Sequence, residues 1–186
     1  MNRIVIVGTS CSGKSTFANQ LAKKLGYPYI QLDELFWLEN WQERPPDEFV
    51  QLVKTAIDQP FWVIDGNYQK VRQITWGKAD TIIWLNYSFP VVFKRALFRT
   101  IKRIVFREQL YSGNRETFVR SFFSRESILF WVITTHQQRK QRYHRLFAAD
   151  EFVRLNKIEF TTPKAATHFL NTIERIPETS KSDINR

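Results

Sequence analysis

Residues 8–15 of the chain read Gly-Thr-Ser-Cys-Ser-Gly-Lys-Ser and match the pattern G-x-x-x-x-G-K-[ST] at every fixed position. An apolar run at residues 4–7 precedes this stretch, and Phe17, Leu21 and Leu25 recur after it at the spacing of an amphipathic helix. A strand, a glycine-bounded loop and a helix in this order are the context that a phosphate-binding loop requires. The other interpretation is a strand-to-helix turn with an incidental lysine, and the full match favours the phosphate-binding loop.

The residue types of this loop suit the binding of a nucleoside triphosphate. Glycines at both ends permit tight turns, so that backbone N–H groups and the positive end of the following helix surround the phosphates. Lys14, which we also predict to be catalytic, reaches the β- and γ-phosphates, and the Ser15 hydroxyl ligates Mg²⁺. We therefore predict that ATP and Mg²⁺ bind through Gly8, Thr9, Ser10, Cys11, Ser12, Gly13, Lys14, Ser15 and Thr16.

Four short apolar runs predict strands that are buried on both faces, at residues 4–7, 29–32, 62–64 and 81–85. Helical patterns separate these runs, which favours a parallel sheet with crossover helices. A fifth strand is expected within residues 151–161, followed by a helix over residues 163–176. The predicted fold class is α/β, a three-layer P-loop NTPase fold with about five parallel strands and helices on both faces.

Residues 89–149 interrupt the alternation of strands and helices. They predict two or three helices around Gly113 and Asn114, as an insertion between the fourth and fifth strands. A chain of this length fits a single domain, which we place at residues 1–176. The polar tail at residues 177–186 is expected to fray.

The net charge of +10 is concentrated in one segment. Residues 94–145 hold 13 lysines and arginines against three acidic residues, which accounts for the whole excess. Such a segment implies an anionic partner, which is a nucleotide, a nucleic acid or a membrane surface, or else it is a solvated helical face. Arg95, Arg99, Arg103 and Arg107 recur every four residues and so share one slowly drifting helix face.

Polar residues follow the predicted strands at the carboxyl edge of the sheet, where ligands bind in parallel α/β folds. Asp33 follows the second strand, Asp65 the third and Asn86 the fourth. We predict that Asp65 is a metal ligand and that Asp33 orients the acceptor hydroxyl or accepts its proton. The alternative is that both aspartates cap turns or helix starts.

The tryptophans and histidines are further candidates for a binding or metal site. Trp37 and Trp41 belong either to the acceptor pocket or to the core, whereas the strand position of Trp62 predicts the core. His136, His144 and His168 lack metal-ligand spacing.

Cysteine content and the apolar runs favour the cytoplasm. The single cysteine excludes an internal disulfide and suits a reducing compartment, and the N-terminus has no signal-peptide pattern. The apolar run at residues 128–133 is far shorter than a bilayer span. We expect a cytoplasmic protein without a membrane partner.

The chain resembles the bacterial family named DNA topology modulation proteins, which is described as adenylate-kinase-like. The resemblance rests on the phosphate-binding loop, Leu-Asp-Glu-Leu-Phe-Trp at residues 32–37, Trp-Val-Ile-Asp-Gly-Asn-Tyr at 62–68, Ala-Asp-Thr-Ile-Ile-Trp-Leu at 79–85 and Gly-Asn-Arg-Glu at 113–116. Adenylate kinases carry an arginine after the second strand, where this chain has Phe36 and Trp37, and another after the third, where the nearest is Arg72.

The resemblance implies a mobile helical lid at residues 89–149, whose arginines close over the transferring phosphates. We predict on this ground that at least one of Arg95, Arg99 and Arg103 is catalytic, with Gly113 and Asn114 at a bend. The function implied is transfer of the γ-phosphate of ATP to a small acceptor. The alternative is an ATP-binding regulatory protein that associates weakly and non-specifically with DNA and affects its topology.

Overall fold

A computed structural model describes residues 1–106 and 128–173 of the chain. Its centre is a sheet of five strands: β1 (Arg3–Gly8), β2 (Tyr29–Gln31), β3 (Trp62–Asp65), β4 (Thr81–Leu85) and β5 (Asn156–Phe160). The strands lie in the order β2-β3-β1-β4-β5, and every neighbouring pair is parallel. The predicted α/β fold class with a parallel sheet of about five strands is therefore confirmed.

The strands are continuous apolar runs because both faces of the sheet are covered. Successive side chains of a strand point to opposite faces, and β1 divides accordingly. Ile4 and Ile6 pack into one core cluster, and Val5 and Val7 pack into the other. Burying each such side chain stabilises the fold by about 1.5–3 kcal/mol. The central strand is thus anchored on both sides, and the loop that follows it starts from a rigid position.

Helices supply the two outer layers. They are α1 (Lys14–Leu25), α2 (Leu32–Phe36), α3 (Pro46–Ala56), α4 (Gln69–Lys78), α5 (Phe89–Phe106), α6 (Ile128–Ala148) and α7 (Pro163–Thr172). Side chains of α1, α5 and α7 belong to the first core cluster, and side chains of α3 and α4 belong to the second. α6 contributes to both clusters, through Val132 and Tyr143. Helices therefore cover both faces of the sheet, as the sequence predicts.

Some element boundaries differ from the sequence prediction. β2 ends at Gln31 because α2 begins at Leu32, so Asp33 lies in the first turn of a short helix rather than after a strand. Asp65 is the last residue of β3, where Ile6 of β1 pairs with it. α7 ends at Thr172, four residues before the predicted end.

The predicted insertion contains α5 and α6, which pack against each other. Gly113, Asn114, Arg107 and the tail at residues 177–186 lie outside the described residues, so the predictions about them remain predictions. Among the helices that the structure describes, none combines the length and the apolar character needed to cross a bilayer.

Candidate functional site

The loop at residues 8–15 lies at the carboxyl end of β1, between the ends of β3 and β4. Its backbone turns need glycine at two positions. A Cβ added to Gly8, which has φ of 153°, would come within 2.8 Å of the Leu85 carbonyl oxygen and of Ser12 Oγ. Gly13 has φ of 91°, and a Cβ there would come within 2.9 Å of an Arg95 guanidinium nitrogen. Gly8 is therefore explained by close approach of the backbone, and Gly13 by a positive φ that other residues rarely adopt.

The start of α1 faces the loop with backbone N–H groups that no side chain caps. Gly13 occupies the N-cap position, and the first turn contains no acidic residue. Thr9 Oγ1 and Ser12 Oγ are also buried without a hydrogen-bond partner among the described residues. Uncapped N–H groups at a helix start and unpaired buried hydroxyls are the groups that an anion would satisfy.

Lys14 opens α1, and its Nζ donates a 3.0 Å hydrogen bond to the Thr9 carbonyl oxygen. Burial lowers the pKa of Lys14, whereas the charges of Asp65 and Asp33 raise it. The ammonium thus lies in a site where water solvates it poorly and two carboxylates partly compensate for that loss. A phosphate group at the loop would add to this compensation.

Asp65 is 3% exposed, and both of its carboxylate oxygens accept hydrogen bonds. Ser15 Oγ donates to Oδ2 at 2.8 Å, and the Tyr29 hydroxyl donates to Oδ1 at 2.8 Å. Burial raises the pKa of Asp65, while Lys14 and these two hydrogen bonds act in the lowering direction. The carboxylate contacts side chains of α1 and β2, so its geometry is not that of a turn cap.

Asp33 lines a cavity of about 760 Å³ together with Lys14, Ser15 and Gln31, and its charge interacts with that of Asp65. The Tyr68 hydroxyl donates a 2.6 Å hydrogen bond to Asp33 Oδ1. Asp33 is half-buried and part of its surface faces the cavity.

Asn86 does not line this cavity. Its side chain donates to Glu159 Oε1 at 2.6 Å and ties β4 to β5. The sequence places Asn86 after the fourth strand, at the edge where ligands bind in such folds. In this structure its side chain instead links two neighbouring strands of the sheet.

The structure brings Arg95 and Arg99 of α5 to the cavity. An Arg95 guanidinium nitrogen donates to the Ser12 carbonyl oxygen at 2.6 Å, and the guanidinium carbon lies 5.1 Å from the centre of the Tyr87 ring. Nε of Arg99 is buried without a hydrogen-bond partner among the described residues. Arg103 lies on α5, but its side chain falls outside the described part of the chain.

Arg139 of α6 also reaches this region, although the sequence did not single it out. Its charge interacts with those of Lys14 and Asp33, and burial lowers its pKa. It lies more than a hundred residues from either partner in the chain, and only its place in the basic segment could have drawn attention to it.

The aromatic and histidine residues divide between core and cavity. Trp41 lines the cavity, and the ring of Trp37 packs against the ring of Trp41 with centroids 5.6 Å apart. Trp62 is fully buried in the core, as predicted. His136 is buried and contacts the Tyr87 carbonyl oxygen at 3.2 Å. Within residues 1–106 and 128–173, no group of three or more His, Cys, Asp or Glu side chains could hold a metal ion.

Comparison with solved structures identifies proteins of the same architecture. A shikimate kinase from Bacteroides thetaiotaomicron superposes with a TM-score of 0.52 and 14% identity, over 91% of this chain and 94% of that chain. A gluconokinase from Sinorhizobium meliloti 1021 superposes with a TM-score of 0.50 and 17% identity, over 93% of both chains. The chain has the P-loop kinase fold.

The fold is what these two P-loop kinases share with this chain, since their sequence identity is low. No family model matches the chain, and no curated protein matches its sequence. The predicted adenylate-kinase-like fold type is therefore confirmed, while membership of the DNA topology modulation family stays a prediction.

Proposed function

We propose that this protein is an ATP-dependent phosphotransferase that moves the γ-phosphate of ATP to a small acceptor. The observation that carries the proposal is the 2.8 Å hydrogen bond from Ser15 to Asp65, at the end of the glycine-bounded loop. The charge of Lys14 interacts with the same carboxylate. A hydroxyl, a buried carboxylate and a lysine at the start of a helix form the set that Mg²⁺-triphosphate chemistry requires. The P-loop kinase fold supports the same reaction class by analogy.

The residues present fit ATP and Mg²⁺. The loop N–H groups and Lys14 would hold the phosphates, and the buried hydroxyls of Thr9 and Ser12 offer further donors. Ser15 and Asp65 would hold Mg²⁺, directly or through water. Mg²⁺ supplies electrostatic neutralisation of the charge that develops on the phosphate oxygens.

Asp33 is proposed to act on the acceptor. The hydrogen bond from Tyr68 fixes one carboxylate oxygen, which leaves the other to orient an acceptor hydroxyl or to accept its proton. The cavity of about 760 Å³ joins Asp33 to the loop and is suited to a small molecule rather than to a macromolecule.

Arg95 and Arg99 are proposed to stabilise the charge of the transferring phosphoryl group. Arg103 is a third candidate for the same role. The unpaired buried Nε of Arg99 at the cavity supports this role, since a phosphate oxygen would satisfy it. Arg139 would add positive charge from the opposite helix of the insertion.

This arrangement accounts for part of the basic excess of the insertion without a nucleic acid. Arg95 and Arg99 line the cavity at the loop, and the charge of Arg139 interacts with that of Lys14, so all three would face the phosphates of a bound nucleotide. None of the features of the described residues favours the DNA-associated alternative over the phosphotransferase.

A screen of hydroxyl-bearing metabolites for ATP-dependent phosphorylation tests the proposal. ATP and Mg²⁺ are incubated with the protein and a panel of sugars, sugar acids and nucleosides, and ADP release is measured by a coupled assay. Lys14→Ala is expected to abolish any activity, and Lys23→Ala, an exposed lysine of the same helix, is the matched control. ADP release that persists in Lys14→Ala would overturn the proposal.

A further inference from the structure

Two hydrogen bonds in series connect helix α6 to the first residue of the phosphate-binding loop. The Tyr143 hydroxyl donates to Asn67 Oδ1 at 2.6 Å, and Asn67 Nδ2 donates to the Gly8 carbonyl oxygen at 2.6 Å. These bonds span 76 and 59 positions of the chain. Asn67 follows β3 and belongs to neither partner's element, so it bridges the insertion and the loop.

The direction of this chain of hydrogen bonds is fixed by chemistry. The Gly8 carbonyl can only accept, so the Asn67 amide nitrogen must face it, and the amide oxygen must then face Tyr143. Tyr143 is 4% exposed, and burial raises the pKa of its hydroxyl to about 12, although Arg139, Arg72 and Arg142 act in the lowering direction. The hydroxyl therefore remains a donor across the physiological pH range.

The carbonyl that Asn67 holds determines the orientation of a loop N–H group. The Gly8 carbonyl and the Thr9 N–H belong to one planar trans peptide, so they point in opposite directions. Fixing the carbonyl toward Asn67 fixes the N–H on the other side. Gly8 itself has little backbone resistance to rotation, because glycine lacks a Cβ and tolerates many conformations. Gly8 ends β1, where it pairs with Leu85 of β4, and the hydrogen bond from Asn67 adds a restraint on its carbonyl beyond that pairing.

A second peptide plane of the loop is held in the same way. Arg95 of α5 donates to the Ser12 carbonyl oxygen, and that carbonyl shares its plane with the Gly13 N–H. The two helices that the structure describes in the insertion, α5 and α6, therefore contact the loop through its carbonyls, α5 directly and α6 through Asn67.

We propose that Asn67 and Tyr143 are positioning residues that hold the Gly8–Thr9 peptide plane in the orientation for nucleotide binding and couple the position of α6 to the loop. This inference rests on the proposed nucleotide-binding function. Preorganised N–H donors cost less to order when a phosphate arrives, so loss of the chain of hydrogen bonds weakens affinity without removing any ligand contact.

Tyr143→Phe tests the proposal by removing one hydroxyl from a side chain whose ring remains in the core. Tyr27→Phe is the matched control, because the Tyr27 hydroxyl also bonds a carbonyl, at 3.3 Å to Met1 and away from the loop. Dissociation constants for Mg²⁺-ADP are measured by calorimetry, and melting curves are recorded without nucleotide. We expect the ADP dissociation constant of Tyr143→Phe to rise roughly three- to tenfold, as for one lost hydrogen bond, with no change in Tyr27→Phe.

Asn67→Ala and the double variant Asn67→Ala/Tyr143→Phe separate a series arrangement from two independent contacts. In a series arrangement the Tyr143 hydroxyl acts only through Asn67, so the double variant has the ADP affinity of Asn67→Ala alone. Additive losses would overturn the proposal. Asn67 is half-buried, and if Tyr143→Phe folds poorly, the ADP dissociation constant of Asn67→Ala alone still tests the positioning role: an affinity equal to that of the wild type would overturn it.

The outcomes distinguish this inference from the function on which it rests. If wild-type protein does not bind ADP, the proposed function fails. If wild type binds ADP and both single variants bind it equally well, the function stands and the positioning role is wrong. A melting temperature that falls in Tyr143→Phe while ADP affinity is retained means a purely structural hydrogen bond, which also overturns the proposal.

Discussion

Ser15 Oγ donates a 2.8 Å hydrogen bond to Oδ2 of Asp65, although the two residues lie 50 positions apart in the chain. The parallel pairing of β1 with β3 sets Ile6 opposite Asp65 and so brings the end of β3 beside the loop. Tyr29 holds the other oxygen of the same carboxylate at 2.8 Å. The protonation state of this buried carboxylate therefore affects the stability of the site, and its charge is what we propose to bind the metal.

The stability of the protein without ligand is expected to depend on the protonation of Asp65. Burial raises its pKa above the value in the unfolded chain, so the stabilisation from this group is fully present below the unfolded pKa and is lost as the pH rises through the folded pKa. The free energy of unfolding of the wild type should therefore fall, relative to that of Asp65→Asn, as the pH rises from about 4 through the folded pKa. Urea unfolding of both proteins across this range measures the difference, and a difference that is independent of pH contradicts the raised pKa.

The affinity of the protein for nucleotide is expected to lose much of its Mg²⁺ dependence in Asp65→Asn. The substitution removes the negative charge that we assign to the metal while it preserves the shape of the side chain. Calorimetric titration with ADP, with and without Mg²⁺, should give an Mg²⁺ effect on affinity that is reduced at least about tenfold, since a charged ligand contact is lost. Asp58→Asn, an exposed aspartate that pairs with Lys78 at 3.2 Å, is the control. A variant with the full Mg²⁺ effect would show that Asp65 is not a metal ligand.

Asp33→Asn is expected to remove turnover and to leave ADP affinity nearly unchanged. An amide cannot accept the proton of an acceptor hydroxyl, and loss of general-base catalysis reduces the rate by about 10²–10⁴-fold. Steady-state assays with the acceptor found by the screen, together with ADP titration, measure both quantities. Glu34→Gln removes an exposed charge from the neighbouring position of α2 and should leave turnover intact. Loss of ADP affinity in Asp33→Asn would place Asp33 at the nucleotide instead of the acceptor.

The arginines of α5 are expected to contribute mainly to the rate of phosphoryl transfer. A transition-state arginine contributes on the order of 10³–10⁵ in rate, whereas a solvated arginine contributes almost nothing. Single substitutions of Arg95, Arg99 and Arg103 by alanine should include at least one that lowers turnover a hundredfold or more, with a modest change in ADP affinity. Lys94→Ala, an exposed neighbour on the same helix, is the control. Near-normal turnover in all three variants would contradict the lid hypothesis.

The sequence predicted the fold and the loop because both depend on local patterns. Apolar runs between helical segments predicted parallel strands, and the fixed glycines of the loop correspond to positions of positive φ, 153° at Gly8 and 91° at Gly13. Asp65 was placed at the right edge because a residue that ends a strand beside β1 must lie near the loop.

The residues that the sequence missed act through contacts between distant parts of the chain. Tyr29 and Tyr68 each hold a carboxylate through a single hydroxyl, and neither lies in a motif whose spacing indicates that role. Arg139 was hidden among the many basic residues of the insertion, since only the packing of α6 decides which of them turns inward. Asn86 shows the opposite case, a residue that matches the sequence pattern of the site but lies outside the cavity. It lies at the end of a strand as Asp65 does, yet its side chain bonds Glu159 of β5.

The shift in melting temperature that Mg²⁺-ATP or Mg²⁺-ADP produces tests the central claim most directly. Nucleotide at 100 times its dissociation constant stabilises the folded state by about 2.7 kcal/mol, which corresponds to roughly 5–10 °C for a chain of this size. Lys14→Ala should lose most of this shift, and Lys23→Ala should retain it, because Lys14 lies in the loop and Lys23 is exposed at the far end of α1. An unchanged melting curve with every nucleotide tried would contradict nucleotide binding at this loop and with it the proposed phosphotransferase.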